Sequence, residues 1–390
     1  NNSQYRETIL LQGDVGSGKT IVALLSSIPF LNKNLQVAYM APTEILAQQI
    51  YENIITFVSN QDLRVVLLTG STKDKNDIYS KISENKFNFI VGTHAIFQEN
   101  LEFNNLSYVI IDEQHRFGVQ QRLFLAEKGI DTNILLMSAT PIPRTLALAQ
   151  YGEIEQIIIN ERPAFQKPII TRVADTSKIN DLAIYLKKNV NELNQAYWIC
   201  PLVEASDNLQ YKDVDSRYKS LKKAFGEKVQ MLHGKMKSQE KELIINQFKK
   251  GIITVLVATT VVEVGIDNKN ANFIIIENAE KFGLSQLHQL RGRVGRGALQ
   301  GYCFSIYGKD ITETSTERLQ IFKDNIDGFK LAEKDLEIRG TGDILGYRQS
   351  GDSLFKFVNP SQDQDLIIDS LDYVKEIIAN HKYENETFKK

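Results

Sequence analysis

The sequence predicts an α/β protein of two tandem lobes, each built on a parallel sheet, followed by a helical element. Three observations carry that prediction. Short apolar, β-branched runs alternate with longer helical patterns up to about residue 310, as repeated βαβ units do. The segment 160–168 interrupts this alternation with two prolines and little apolar periodicity, after which the pattern begins again. Beyond residue 310 the strand-like runs stop and helical patterns dominate, broken by the glycine-dense stretch 339–346. A chain of 390 residues is too long for one ordinary core, and it divides into 1–162, 163–310 and 311–390.

In the first lobe the expected strands are 8–12, 37–42, 65–69, 89–93, 108–112 and 134–138, all apolar enough to be buried on both faces. In the second they are 196–201, 229–233, 255–259, 273–277 and 302–307, with helices over 179–191, 215–225 and 238–249. Helical apolar spacing returns over 362–380, and the last ten residues are polar. Cys200 and Cys303 form no CxxC, so neither a disulfide framework nor a zinc site is indicated. No run is long and apolar enough to span a bilayer, and a soluble, cytosolic protein is expected. A formal net charge of −2 neither implies nor excludes a nucleic-acid partner, because local groups can hold a phosphate backbone on an otherwise acidic surface. The charge run from Lys219 to Lys223 reads as a solvated helix face.

The chemistry begins at Gly13-Asp14-Val15-Gly16-Ser17-Gly18-Lys19-Thr20, which follows the apolar run Ile9-Leu10-Leu11. This is GxxxxGKT between a strand and a helix, the P-loop pattern in its proper context. Its glycines let backbone N–H groups converge on phosphate oxygens. Lys19 can reach the β- and γ-phosphates, and the Thr20 hydroxyl can bind the nucleotide's Mg²⁺. The run Tyr108-Val109-Ile110-Ile111 then ends in Asp112-Glu113-Gln114-His115, which puts two carboxylates at the C-terminal edge of a buried strand. Asp112 suits the metal, held through its waters, and Glu113 suits orienting and deprotonating an attacking water. An isolated Asp-Glu pair would also suit capping of a following helix. The remaining histidines, His94, His233, His288 and His381, lack metal-ligand spacing and fit packing or nucleic-acid contact, while Tyr197 and Trp198 fit a strand core.

DEQH behind GDVGSGKT resembles motif II of superfamily 2 helicases and translocases, and further motifs follow in order. Ala41-Pro42-Thr43-Glu44 is similar to motif Ia and Gly92-Thr93-His94 to motif Ib, implying nucleic-acid contact at Pro42, Thr43, Thr93 and His94. Ser138-Ala139-Thr140-Pro141 resembles motif III, and the segment from Thr259-Thr260 to Asp267 resembles motif V, which implies coupling roles for Ser138, Thr140 and Thr260, with His115 beside them. Gln289-Leu290-Arg291-Gly292-Arg293-Val294-Gly295-Arg296 is similar to motif VI; it implies that Gln289 faces the nucleotide and that Arg293 and Arg296 are arginine fingers.

Longer passages narrow the resemblance. DEQHRFGVQQR, SATPIPRTLA, YWICPLVEAS and ENAEKFGLSQLHQLRGRVGRG resemble the RecG-type branched-DNA helicases, over about residues 10–351. The resemblance implies two RecA-like lobes of the P-loop NTPase class, an ATP-binding lobe at 1–162 and a helicase C-terminal lobe at 163–310. At 311–390 it implies a helical hairpin with a TRG-like loop, in which Arg339 and Gln349 couple lobe closure to movement on DNA. It also implies an ATP hydrolase using ATP and Mg²⁺ on branched or duplex DNA in repair and recombination, acting as a monomer in the bacterial cytoplasm at the nucleoid. Such relatives carry adenine-gripping residues and an oligonucleotide-fold wedge domain upstream of the P-loop; this sequence begins almost at the P-loop and reads as the motor portion. The translocase of transcription-repair coupling factors shares much of the pattern, and an ATP-regulated DNA-binding module without sustained turnover is the alternative from another class.

Overall fold

The computed structural model describes residues 7–57, 63–113, 132–139, 154–161, 166–201, 207–259, 268–309 and 311–339, and single positions 366, 369, 370, 373 and 376. Seven strands form the first sheet: β1 (Thr8–Gly13), β2 (Gln36–Met40), β3 (Val65–Leu68), β4 (Phe89–Gly92), β5 (Leu106–Ile111), β6 (Asn133–Ser138) and β7 (Glu155–Ile159). Their spatial order is β3-β4-β2-β5-β6-β1-β7, and every pairing is parallel. Helices α1 (Lys19–Leu31), α2 (Glu44–Phe57) and α3 (Lys75–Ser83) cover it. Consecutive strand residues point to opposite faces. Leu11 therefore packs in a layer with Ala23 of α1 and Ile50 of α2, while Leu10 packs in one with Ile82 of α3.

Burial on both faces holds for β2 and β4 but not for β3, which alternates half-buried and buried residues because it is an edge strand. At the opposite edge β7 was not expected. Glu155 and Gln156 dilute its isoleucines, and its side chains are largely half-buried or exposed. Where β4 passes β3, Gly92 is obligatory, since a Cβ there would lie 2.1 Å from the Leu68 carbonyl oxygen.

The second sheet holds β8 (Ile170–Asp175), β9 (Gln195–Ile199), β10 (Val229–Leu232), β11 (Val255–Ala258), β12 (Ala271–Glu277) and β13 (Tyr302–Tyr307). Its order is β10-β11-β9-β12-β13-β8, again all parallel. Helices α4 (Ile179–Asn189), α5 (Asp207–Phe225), α6 (Ser238–Lys249) and α7 (Leu284–Arg291) accompany it. β8 escaped the sequence reading because it too is an edge strand, with Thr171, Arg172 and Asp175 breaking its apolar run. Helix α5 starts at Asp207 rather than at residue 215, because its first turns are polar and carry no apolar period. Tyr197, Trp198, Cys200 and Cys303 are core residues. Burial pushes the Cys303 thiol up to about 11.

Two further helices follow, α8 (Glu313–Asp324) and α9 (Gly328–Arg339). Thr312 caps α8 by accepting from the Ser315 N–H at 3.2 Å. Leu319 and Phe322 of α8 and Leu331 of α9 join the same buried cluster as Leu287 and Leu290 of α7. The hairpin is thus part of the second lobe's core. Among the described residues no helix is long and apolar enough to cross a membrane.

Candidate nucleotide site at the interlobe face

β1 lies between β6 and β7, so its C-terminal end delivers the loop from Gly13 to Thr20 at one edge of the sheet. Gly16 and Gly18 take φ of 83° and 93°, a region that side chains with a Cβ rarely adopt. Helix α1 starts at Lys19 with no side chain capping it, which leaves its first N–H groups directed at the loop for an anion. The Lys19 ammonium donates to the carbonyls of Gly13 at 2.8 Å and Asp14 at 2.9 Å. Burial lowers its pKa, and the carboxylates of Asp112, Glu113 and Asp14 oppose that effect while Arg296 adds to it. A buried cation among carbonyls, next to an uncapped helix N-terminus, is a receptor for phosphate oxygens.

Beside it, β5 is followed at once by Asp112 and Glu113. The Asp112 N–H donates to the Met40 carbonyl, and Asp112 Oδ1 accepts from the Glu113 N–H at 2.9 Å. Glu113 has φ of 48°, unusual for a residue with a side chain, so the chain turns sharply off the strand here. Burial, then the neighbouring Glu113 charge, pushes the Asp112 carboxyl up to about 7, against the pull of Lys19. Tyr39 of β2, wholly buried, donates its hydroxyl to Asp112 Oδ2 at 3.3 Å and is hydrogen-bonded to the Thr20 side chain. One phenol thereby joins the two groups that suit a metal. Sequence reasoning missed it, because Tyr39 lies in no motif and reads as core.

The second lobe meets this edge through α7 and the turn after it. Gln289 and Arg293 are buried, and Arg296 donates from Nε to the Gly292 carbonyl at 3.0 Å, close enough to Lys19 to act on its charge. His288 Nε2 lies 2.6 Å from Asp14 Oδ1 of the P-loop. Gly292 lies against Val15, where a Cβ would come within 2.6 Å of the valine Cβ. Arg291 is the anchor behind them. It is 2 % exposed, stacks 4.4 Å from the Phe322 ring and donates to the carbonyls of Phe322, Asn325 and Ile326 at 2.9, 2.9 and 3.1 Å. Those carbonyls close α8 and lead into α9, so the helix that faces the P-loop is tied to the hairpin. Neither the His288 nor the Arg291 role was legible, since both depend on partners far away in sequence.

The other motif residues of the first lobe lie along the same sheet edge. Pro42 and Thr43 follow β2, Thr93 and His94 follow β4, and Ser138 ends β6 opposite Gln12. From β4 to β1 is four strand spacings, about 19 Å. Thr43 Oγ1 also accepts from the Leu46 N–H at 3.3 Å, a helix-capping bond; Thr93 and Ser138 are buried and His94 is exposed. His115, Thr140, Thr260 and Gln349 lie outside the described residues, and Arg339 is the last residue of α9. In the second lobe the passages YWICPLVEAS and ENAEKFGLS meet physically: Glu277 at the end of β12 accepts from the Trp198 indole N–H and from Arg217 of α5, whose guanidinium lies 5.5 Å over the indole.

Comparison with known proteins gives this geometry a family. The DEAD/DEAH box helicase model matches residues 2–149, and the helicase conserved C-terminal domain model matches residues 177–298. The ATP-dependent DNA helicase RecG of Borreliella burgdorferi is 44 % identical over 100 % of this chain and 57 % of its own length. RecG of Escherichia coli K12 is 45 % identical over 92 % of this chain and 53 % of its own. The chain spans about half the length of these curated relatives. Among solved structures, RecG bound to a three-way DNA junction superposes with a TM-score of 0.74 at 40 % identity, covering 94 % of this chain and 48 % of that one. Dbp5 of S. cerevisiae bound to RNA and ADP BeF3 shares the fold, with a TM-score of 0.65 at 19 % identity over 87 % of this chain and 90 % of its own. Tandem helicase domains, a P-loop edge facing an arginine-bearing helix, and identity to RecG proteins along nearly the whole chain converge: the chain is homologous to the helicase motor portion of RecG proteins, over about half of their length.

Proposed function

We propose that this chain is the ATP-driven motor of a RecG-type DNA helicase, remodelling branched DNA such as stalled forks and Holliday junctions in repair and recombination. The observation that carries the reading is the assembly of Lys19, Asp112, Glu113 and Arg296 in one electrostatic neighbourhood where two lobes meet. Lys19 and the α1 amides bind the phosphates, and Glu113 orients a water and accepts its proton. Arg296, with Arg293 as the second candidate, neutralises charge on the γ-phosphoryl group, and Gln289 faces the nucleotide. Thr20 and Asp112 are oxygen donors of the kind magnesium takes beside phosphate and water, and Tyr39 already brings them together. When bound, Mg²⁺ would offset phosphate charge.

Lobe movement then follows from the split site, and Arg291 passes movement of α7 to the hairpin that precedes the TRG-like segment. In this reading Pro42, Thr43 and His94 meet the DNA backbone, and Thr93, buried at the end of β4, supports them from behind. The expectations of a monomer working at the nucleoid, and of domains at 1–162, 163–310 and 311–390, belong to the same reading. The test is ATP turnover with and without forked DNA, for the chain and for Glu113→Gln. DNA stimulation in the first and loss of turnover in the second are expected; absence of stimulation, or unchanged turnover in Glu113→Gln, would overturn the motor.

A further inference from the structure

Two residues of the P-loop, Asp14 and Val15, occupy positions that phosphate binding leaves open, since GxxxxGKT demands only its glycines, lysine and hydroxyl. Both are instead engaged by the second lobe. Asp14 Oδ1 accepts from the Val15 N–H at 2.7 Å and lies 2.6 Å from His288 Nε2. Arg291 settles the direction of that second bond. A guanidinium has only donors, so its Nη2, 3.1 Å from His288 Nδ1, makes Nδ1 the acceptor and places the ring hydrogen on Nε2, which donates to the carboxylate. The imidazole itself sits against Gly328, the first residue of α9, where a Cβ would come within 2.6 Å of Nε2.

His288 and Gly292 are one helical turn apart and joined by a backbone bond, Gly292 N–H to His288 carbonyl at 2.9 Å. They therefore present one face, and that face touches two consecutive P-loop residues: His288 meets Asp14, and Gly292 meets Val15. A polar point and a steric point, one turn apart, set both the rotation and the advance of α7 over the loop. Arg296 is hydrogen-bonded to the carbonyl of that same Gly292 and acts on Lys19.

We propose that Asp14 and His288, with Val15 seated on Gly292, form an interlobe register that sets where Arg296 stands over the P-loop. Both are positioning residues. The inference rests on Arg296 serving phosphoryl transfer, and it goes further by assigning a task to two side chains that the ATP chemistry does not use.

The test is a double-mutant cycle on the full chain, with DNA-stimulated kcat and the affinity for a fluorescent ADP analogue read in parallel. Asp14→Ala and His288→Ala are each expected to lower kcat about tenfold, as loss of a charge-assisted hydrogen bond would, while ADP affinity stays within about threefold. The double variant should be no slower than the slower single. His288→Gln, which keeps a donor near the Nε2 position, should recover most of the rate. Independent losses that multiply in the double variant, wild-type kcat in both singles, or a glutamine no better than alanine would each overturn the register. Should His288→Ala fail to fold, seen as lost ADP binding, Asp14→Ala and His288→Gln decide by the same criteria. Failure of the parent reading is separate, because it appears in Glu113→Gln.

Discussion

Replacing Asp112 by Asn should stabilise the metal-free, nucleotide-free chain while stopping turnover. The Asp112 carboxyl is pushed from 3.8 up to about 7, chiefly by burial and then by Glu113. Ionising it in the folded chain therefore costs about 4 kcal/mol more than in the unfolded chain. The sign follows from the direction. A raised pKa means that the folded chain favours the proton, so the penalty is small near pH 4, grows as pH rises toward 7 and stays constant above that. Asparagine removes the penalty, but it also takes an attractive neighbour from buried Lys19, which leaves a net gain of about 1–3 kcal/mol above pH 7. For a lobe of this size that corresponds to a rise in Tm of roughly 3–8 °C. Thermal unfolding by circular dichroism in chelator, at pH 4.5, 7 and 8.5, measures it, with ATP turnover on the same samples. The variant should melt higher at pH 7 and 8.5, lose most of that advantage at pH 4.5, and turn over about 100-fold more slowly or worse. No gain at pH 8.5, or a gain independent of pH, would refute the account of a buried carboxylate held for a cation.

Gly92→Ala would drive a Cβ to 2.1 Å from the Leu68 carbonyl oxygen between two parallel strands; a loss of about 3 kcal/mol or more is expected in urea unfolding, and a loss under 1 kcal/mol would count against that packing. Gly292→Ala would press on the Val15 Cβ at 2.6 Å; it should slow ATP turnover about tenfold with little change in Tm, and Val15→Gly in the same chain, which removes the touched Cβ, should restore the rate. Tyr39→Phe removes the hydroxyl joining Thr20 and Asp112, so the Mg²⁺ concentration that half-saturates binding of the fluorescent ADP analogue should rise about three- to tenfold, as after loss of other outer partners of metal ligands. An unchanged magnesium requirement would remove Tyr39 from the metal's surroundings.

The parts of the fold that could be read from the sequence are those where one local signal suffices. Interior strands such as β2 and β4 are covered by helices on both faces and so are apolar throughout, which sets them apart from the helices between them. The edge strands β7 and β8 lack that cover. Their mixed residues, Glu155 and Gln156 in one and Thr171 and Arg172 in the other, look like loop until the neighbouring strand is known. The candidate site divides in the same way. Lys19, Asp112 and Glu113 sit in short motifs at strand ends, and parallel pairing brings those ends to one edge. Tyr39 and His288 lie in no short motif, and Arg291, though inside the motif VI stretch, is at none of the positions given a role there. Asp112 is 73 residues from Tyr39, and Asp14 is 274 from His288, distances over which no periodicity reports a contact.

The position of β1 in the sheet also bears on how the protein is made. Although β1 opens the described chain, its only sheet neighbours are β6 and β7, with Thr8 opposite Ile134 and Ile9 opposite Glu155. During synthesis the strand that carries the P-loop thus waits, unpaired, until β6 has emerged, and it gains its second neighbour only with β7. Pairings so distant in sequence form slowly and leave apolar strand exposed meanwhile. ATP cannot guide the early stages, because the loop that binds it lacks both of its framing strands until β6, and then β7, is in place. Nucleotide becomes instead a late lock on the finished lobe, and a nascent first lobe interrupted short of β7 is expected to depend on chaperones.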